Sequence, residues 1–246
     1  MKKRDSCTVR ATVCLPTYNE KENLEPMLRA LGEVLGPDDR VLVIDDNSPD
    51  GTGELAERLA AEHDFVDVLH RERKEGLGPA YLAAFRHALA AGADLVLEMD
   101  CDFSHDPADV PRLVREAAGA DLVLGSRYVD GGAVADWGLI RRAISAGGSL
   151  YARILLGVPI RDLTGGFKCF RREVLERLDL DAIASKGYAF QIETTYRALR
   201  AGFRVVEVPI RFSDREQGHS KMSRSIVLEA IWKVPTLRLR AFAGRL

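Results

Sequence analysis

The chain has 246 residues, of which 46% are hydrophobic, 29% charged and 7% aromatic; this composition excludes disorder, collagen-like repeats and low-complexity architecture. Thirty-five basic against 37 acidic residues give a net charge of −2, which excludes binding of nucleic acid over the whole surface and leaves only local basic patches for polyanions. No apolar run approaches the roughly 20 residues needed to cross hydrocarbon. The basic start Met1-Lys2-Lys3-Arg4 leads into a stretch cut by Arg10, unlike a signal peptide, so the expected location is cytoplasmic.

In chain order, β-branched runs predict strands over 9–15, 41–45, 66–69, 95–99 and 122–124. Between them lie helical stripes: Leu24, Met27, Leu28 and Leu31; then Leu55 and Leu59 in a helix over 52–62; then Leu82, Phe85 and Leu89. Asp106-Pro107 supplies an N-cap and a first-turn proline for a fourth stripe, Val110, Leu113, Val114 and Ala117. This alternation predicts an α/β fold with a mostly parallel central sheet flanked by helices. The second half reads as a helix over 139–156, a strand over 167–170, a helix over 191–201 and a strand over 205–208 ended by Pro209. Residues 223–246 form a basic amphipathic segment broken by Pro235, separate from one domain over 8–222. Cys7, Cys14, Cys101 and Cys169 lie far apart with no Cys-x-x-Cys pair, so buried reduced thiols are expected.

Ligands of parallel α/β sheets bind where strand carboxyl ends open into loops. Here those ends are Pro16-Thr17-Tyr18-Asn19-Glu20, Asp45-Asp46-Asn47-Ser48-Pro49-Asp50-Gly51-Thr52 and Asp100-Cys101-Asp102-Phe103-Ser104-His105-Asp106, so three strands bring acids to one rim. No Gly-x-Gly-x-x-Gly or Gly-x-x-x-x-Gly-Lys loop is present, which removes the dinucleotide and P-loop readings. Carboxylates at alternate positions of an extended chain point to one side, so Asp100 and Asp102 can share a hard cation such as Mg²⁺ or Mn²⁺. Standing alone, Asp102, Ser104 and Asp106 would be read as helix-capping residues, and Asp45-Asp46 as a solvated turn. Lys74-Glu75-Gly76-Leu77-Gly78-Pro79 suits either close approach to a ligand or a plain strand-to-helix turn. A second set is basic: Arg127, Arg141, Arg142 with Ser145, then Arg215 and Lys221; forked guanidinium contacts suit phosphate oxygens.

Those three loops, followed by Gly125-Ser126-Arg127-Tyr128, resemble family 2 inverting glycosyltransferases. Asp162-Leu163-Thr164-Gly165-Gly166-Phe167-Lys168, Gly187-Tyr188-Ala189-Phe190-Gln191-Ile192-Glu193 and the stretch from Glu207-Val208-Pro209-Ile210 to Ser220-Lys221 are similar to the polyprenol phosphate mannosyltransferases among them. The resemblance covers residues 8–222 and implies a GT-A nucleotide-sugar-binding fold. It implies metal-dependent transfer of mannose from GDP-mannose to a polyprenyl monophosphate, with inversion. By motif position, Pro16, Tyr18, Glu20, Ile44 and Asp46 would hold the guanosine part of the donor, and Asp100, Cys101 and Asp102 its diphosphate. Asp102 would ligate the metal with Ser104 beside it. Arg127, Arg141 and Ser145 would receive the acceptor phosphate, and Arg215 and Lys221 would close over the donor phosphates. Cys101 stands where alanine is usual and Asn47 where glycine is frequent; neither alters a carboxylate. Glu193 belongs to one of these motifs, and a plain helix surface is the alternative for it.

The resemblance further implies work at the cytoplasmic face of a membrane, without membrane-spanning helices of the kind some relatives carry. For the segment after Met222 it leaves open a lipid surface, a membrane-anchoring partner protein, or packing on the domain. The rival within enzymes is a polyprenyl-phosphate glucosyltransferase using UDP-glucose. A receiver-like signalling module shares the acidic strand ends but does not account for the second half.

Overall fold

The computed structural model describes residues 9–135, 138–183, 185, 187–213 and 224–243, without the side chains of 139–141 and 224–231. The first half alternates as its hydrophobic periods dictate: β1 (Ala11–Thr17), α1 (Lys21–Val34), β2 (Arg40–Asp45), α2 (Thr52–Glu62), β3 (Val66–His70), α3 (Leu77–Ala90) and β4 (Leu95–Glu98). Then follow α4 (Val110–Glu116), β5 (Leu122–Ser126), β6 (Ala133–Val134), α5 (Leu139–Leu156), β7 (Lys168–Arg171), α6 (Arg172–Arg177), α7 (Gly187–Arg200), β8 (Val205–Pro209), β9 (Arg211–Phe212) and α8 (Arg224–Phe242).

The main sheet has seven strands in the order β3-β2-β1-β4-β7-β5-β8, and β6 pairs with β9 beside it. All neighbours run parallel except β7, which is antiparallel to β4 and β5. Each strand feeds two cores by its period of two. Val13, Leu15, Val41 and Val43 pack with Leu24, Leu28, Leu55 and Leu113 on the side of α1, α2 and α4. Cys14, Leu42 and Ile44 pack with Tyr81, Phe85, Ala152, Phe190, Tyr196 and Val234 on the side of α3, α5, α7 and α8.

Successive connections run outward from β1 to β2 and β3, then return to place β4 on the other flank of β1, which makes the β1–β4 boundary the switch point of the sheet. There the two strands separate: β1 pairs with β4 only as far as Cys14 opposite Glu98, but with β2 through Thr17 opposite Asp45. Pro16, with no N–H to donate, lies where β4 has already left the ladder, so it costs no bond on that side.

Several expectations are corrected. Strand β1 starts later and runs further than 9–15, and α7 starts at Gly187, earlier than 191. Helix α6 and the small β6–β9 sheet went unforeseen. Strand β8 ends at Pro209, as expected, with the proline itself as its last residue, which an edge strand permits. Pro235 does not interrupt the terminal segment: α8 runs through it, since a proline removes one helical bond while Val234, Leu237 and Ala241 stay anchored in the core.

Candidate active site

The β1 and β2 loops are laced by polar side chains at the rim. Ser48 Oγ accepts the Asn19 N–H at 3.1 Å, Thr52 Oγ1 the Glu20 N–H at 3.1 Å and Asp50 Oδ2 the Lys21 N–H at 3.3 Å. Ser, Thr and Asp of the second loop thereby satisfy backbone donors that open α1. Asp45 is buried and receives the Ser48 hydroxyl at 2.5 Å, so it shapes the loop. Asn47 has φ 56°, the left-handed backbone that asparagine and glycine share, and donates to Glu72 O at 3.0 Å.

At the outer end of this rim stand the residues expected to hold guanosine. Tyr18 carries the Lys74 ammonium 4.0 Å above its ring, and Glu20 accepts from Asn23 at 2.8 Å. Asp46 is clasped by Arg71 at 2.5 Å, and Arg71 also meets Glu75 at 3.1 Å. Burial raises the Asp46 carboxyl above its ordinary range, with the Arg71 charge pulling the other way. Pro16 is half-buried. Ile44 is corrected: its side chain is in the core and its carbonyl accepts from Thr17 Oγ1 at 3.1 Å, so it supports the rim from beneath. Gly78 is likewise a packing residue, because a Cβ there would lie 2.5 Å from Ser185 O.

Asp100 and Asp102 follow β4 at the switch point. Asp102 is buried and accepts both the N–H of Ser104, at 3.1 Å, and the Ser104 hydroxyl on Oδ1. Ser104 thus orients this carboxylate. Phe103 between them has φ 59°, a left-handed conformation that a bulky side chain adopts only under constraint. Cys101 is buried in the core on the α1 side, so any small apolar side chain would serve there. His105 is buried, and its Nδ1 accepts the Asp100 N–H at 3.1 Å; burial pushes the imidazole down to about 4, leaving it neutral at pH 7. Beneath the rim, Glu98 lies opposite Lys168 in the strand register, and burial pushes Glu98 up to about 7 and Lys168 down to about 8.

On the other side of the crevice, Arg127 was expected to receive phosphate. Its guanidinium is instead buried on Asp162, with two contacts of 2.7 Å, and donates to Thr164 at 2.9 Å. Burial of Arg127 works against its charge, but the Asp162 carboxylate outweighs it and holds the guanidinium protonated. The backbone N–H groups of Arg161 and Asp162 donate to Glu207, each at 2.8 Å, and Thr164 Oγ1 meets Ser149 of α5 at 3.0 Å. Tyr128 donates to Ser145 of α5 at 2.8 Å, which brings that predicted residue to the same wall. Arg141 lies on α5 four residues before Ser145, its side chain outside the described part. Arg215 and Lys221 lie outside the described residues. Glu193 is buried, accepts from Arg197 at 2.8 Å and takes the Ser185 hydroxyl, which removes the helix-surface alternative.

Arg71 stands beside these residues without having been quoted from sequence, and Lys74, His105 and Asp162 lay inside quoted stretches without a role of their own. The charge-dense stretch Arg71-Glu72-Arg73-Lys74-Glu75 after a strand was a usable signal for the first two. Among the described residues no cluster of three His, Cys, Asp or Glu side chains could hold a metal ion. Asp102 with Asp100 still fits a hard cation whose coordination is completed by phosphate oxygens, because both offer oxygen donors at one crevice.

Comparison with known proteins gives a consistent outcome. A family model described as glycosyl transferase family 2 matches residues 12–179. A polyprenol monophosphomannose synthase of Mycolicibacterium smegmatis is 51% identical, covering 98% of this chain and 92% of that protein. An undecaprenyl-phosphate mannosyltransferase of Micrococcus luteus is 50% identical, covering 95% and 96%. Among solved structures, glucosyl-3-phosphoglycerate synthase from Mycobacterium tuberculosis with phosphoglyceric acid aligns with a TM-score of 0.68 at 20% identity, over 94% of this chain and 80% of that one. A mannosyltransferase from Pyrobaculum calidifontis in complex with GDP-Man and Mn²⁺ aligns with a TM-score of 0.59 at 21% identity, over 96% and 74%. The likeness to these two structures is one of fold.

Proposed function

The chain belongs to glycosyl transferase family 2, and we propose that it transfers mannose from GDP-mannose to a polyprenyl monophosphate with inversion at the sugar carbon. The observation that carries this reading is the position of Asp100 and Asp102 at the switch point, between a rim holding Tyr18, Glu20 and Asp46 and a wall holding Tyr128 and Ser145. Near half-identity to two proteins named for mannosyl transfer to polyprenyl phosphates supports the choice of donor and acceptor.

In this reading Tyr18, Glu20 and Asp46 take the nucleoside, with Pro16 at the base of the pocket. Asp102, oriented by Ser104, holds a divalent cation, Mg²⁺ or Mn²⁺, and Asp100 stands beside it. When bound, that cation offsets the charge that builds on the departing diphosphate. Arg215 and Lys221 grip the same phosphates from the segment that follows β9. A lipid monophosphate is already largely ionised near neutral pH, its second pKa being about 6, so it attacks without a general base and Asp100 moves no proton. What the acceptor needs is approach and charge neutralisation, which Arg141 and Ser145 on α5 supply. Arg127 serves this wall from within, as the buried counterion of Asp162, and keeps the acceptor loop in place.

We take 8–222 as the catalytic domain and 223–246 as a basic segment closing its side. No helix among the described residues is long and apolar enough to cross a membrane. Peripheral attachment at the cytoplasmic face is supported by α5, whose outer side exposes Ile144, Leu150 and Ile154 next to the exposed Arg142 and Arg153, and by Trp232, Leu239 and Phe242 of α8. Apolar rows edged by arginine suit an anionic lipid surface, which is where a polyprenyl phosphate resides; a membrane-anchoring partner protein is the competing occupant.

The test is incubation with labelled GDP-mannose and polyprenyl phosphates, with and without chelator. An organic-extractable, acid-labile mannolipid that disappears with chelator is the expected product. Transfer from UDP-glucose in preference to GDP-mannose, or stronger inhibition by UDP than by GDP, would overturn the donor assignment.

A further inference from the structure

His105 lies behind the turn that carries Asp100 and Asp102. Its Nδ1 accepts the Asp100 N–H at 3.1 Å, which puts the ring proton on Nε2. One face of the ring stacks on Phe167, with centroids 4.9 Å apart, and Phe212 meets it edge-on at 5.2 Å and 79°. Phe212 ends β9, and the next residue, Ser213, donates its N–H to Ser104 O at 3.3 Å. The Asp100–Ser104 turn is therefore fastened on one side by His105 and on the other by Ser213, with Phe103 held in its left-handed conformation between them.

We infer that His105 is a positioning residue: it fixes the Asp100–Asp102 turn through the Asp100 amide, and Phe167 and Phe212 hold its ring in place to do so. One buried ring then sets where the carboxylates that would hold the cation stand. His105 acts through Asp100. The inference rests on the proposed function only for the identity of the diphosphate. Groups of this kind, behind the ligands, change metal affinity or activity roughly 10- to 100-fold when lost.

The test uses the full chain and two variants of similar bulk. His105→Asn places an amide oxygen near the position of Nδ1, where it can still accept the Asp100 N–H; His105→Gln, one methylene longer, cannot do so from the same backbone. Free Mn²⁺ is followed by electron paramagnetic resonance as MnCl₂ is titrated with GDP present, with thermal midpoints as the control for folding. His105→Gln is expected to weaken GDP-dependent Mn²⁺ binding by about tenfold or more, and His105→Asn to recover all but about threefold of it. Phe212→Leu, which keeps the hydrogen bond but removes the edge contact that braces the ring, should weaken Mn²⁺ binding less than His105→Gln does. Equal loss in the Asn and Gln variants, or no loss in either, overturns the inference, as does a Phe212→Leu variant that loses more than His105→Gln. A wild-type chain that binds Mn²⁺ with GDP, sensitive to His105 in this way, yet makes no mannolipid breaks the proposed function and leaves the role of His105 standing. A wild type that makes mannolipid while His105→Gln binds Mn²⁺ normally does the reverse.

Discussion

The two walls of the crevice are built differently. At the donor rim the loop acids have partners within their own turns, Ser48 on Asp45, Thr52 on Asp50 and Ser104 on Asp102, two or three residues apart, beside bonds between loops such as Arg71 to Asp46. The acceptor wall is made across the chain: Arg127 reaches Asp162 over 35 residues, Asp162 reaches Glu207 over 45, and Arg238 reaches Leu156 over 82. Where the partner is local, as Ser104 is for Asp102, the turn can be rebuilt by its own chemistry, so substitution there should alter ligand binding more than folding. A wall held by a buried ion pair ties its geometry to the stability of the whole domain, because each partner leaves a charge behind when the other is removed.

The sharpest way to break this contrast is at the rim. Asp102→Ala should lower metal-dependent turnover by about 1,000-fold, with a urea midpoint close to wild type; both are read from the mannolipid assay and an equilibrium unfolding curve. On the wall the order reverses. Asp162→Asn strands the Arg127 charge and should cost about 3–5 kcal/mol of stability at pH 7, measured by urea denaturation.

The pH dependence of that loss has a definite sign. Burial tends to raise the Asp162 carboxyl, but the Arg127 charge and its hydrogen bonds outweigh burial and hold it below its ordinary value. A group depressed in the folded state contributes stability that is complete above its unfolded pKa, near 3.9 for aspartate, and lost as pH falls through the folded value. The gap between wild type and Asp162→Asn should therefore persist from neutral pH down to the carboxylate range and close below it.

Two smaller effects sharpen the comparison. Tyr128→Phe removes one hydrogen bond to Ser145 and should cost about 1 kcal/mol, seen as a rise in acceptor KM with donor KM unchanged. Asn47→Gly keeps the left-handed backbone and loses only an exposed bond to Glu72, so its unfolding midpoint should correspond to a change within about 0.5 kcal/mol.

The same division decides what could be read from the sequence. The rim was legible because strand period, Asp-Pro capping and Asp-x-Asp spacing are all local patterns, and Asp46, Asp100 and Asp102 lie where strand ends were expected. The strand ends themselves shifted because pairing, not composition, sets them: β1 extends to Thr17 since Asp45 of β2 continues opposite it. The wall was not legible in the same way. Arg127 read as an available phosphate ligand because nothing in Gly125-Ser126-Arg127-Tyr128 announces a carboxylate 35 residues later. The burial of Glu193 could not be decided from sequence because its partner Arg197 is four residues on, a spacing equally common on exposed helix surfaces. Helix α6, six residues long, carries too little periodicity to declare itself.

The bond from Arg238 to the Leu156 carbonyl also bears on how the molecule is made. On the ribosome, the end of α5 emerges 82 residues ahead of the arginine that closes it, and the rest of α8, which packs on α5, follows at a similar interval. Until it arrives, the nascent chain displays α5 without its α8 cover, a species prone to aggregation. A chaperone or an early encounter with lipid at that interval would therefore raise the yield of folded protein, even though neither is needed to hold the finished one together.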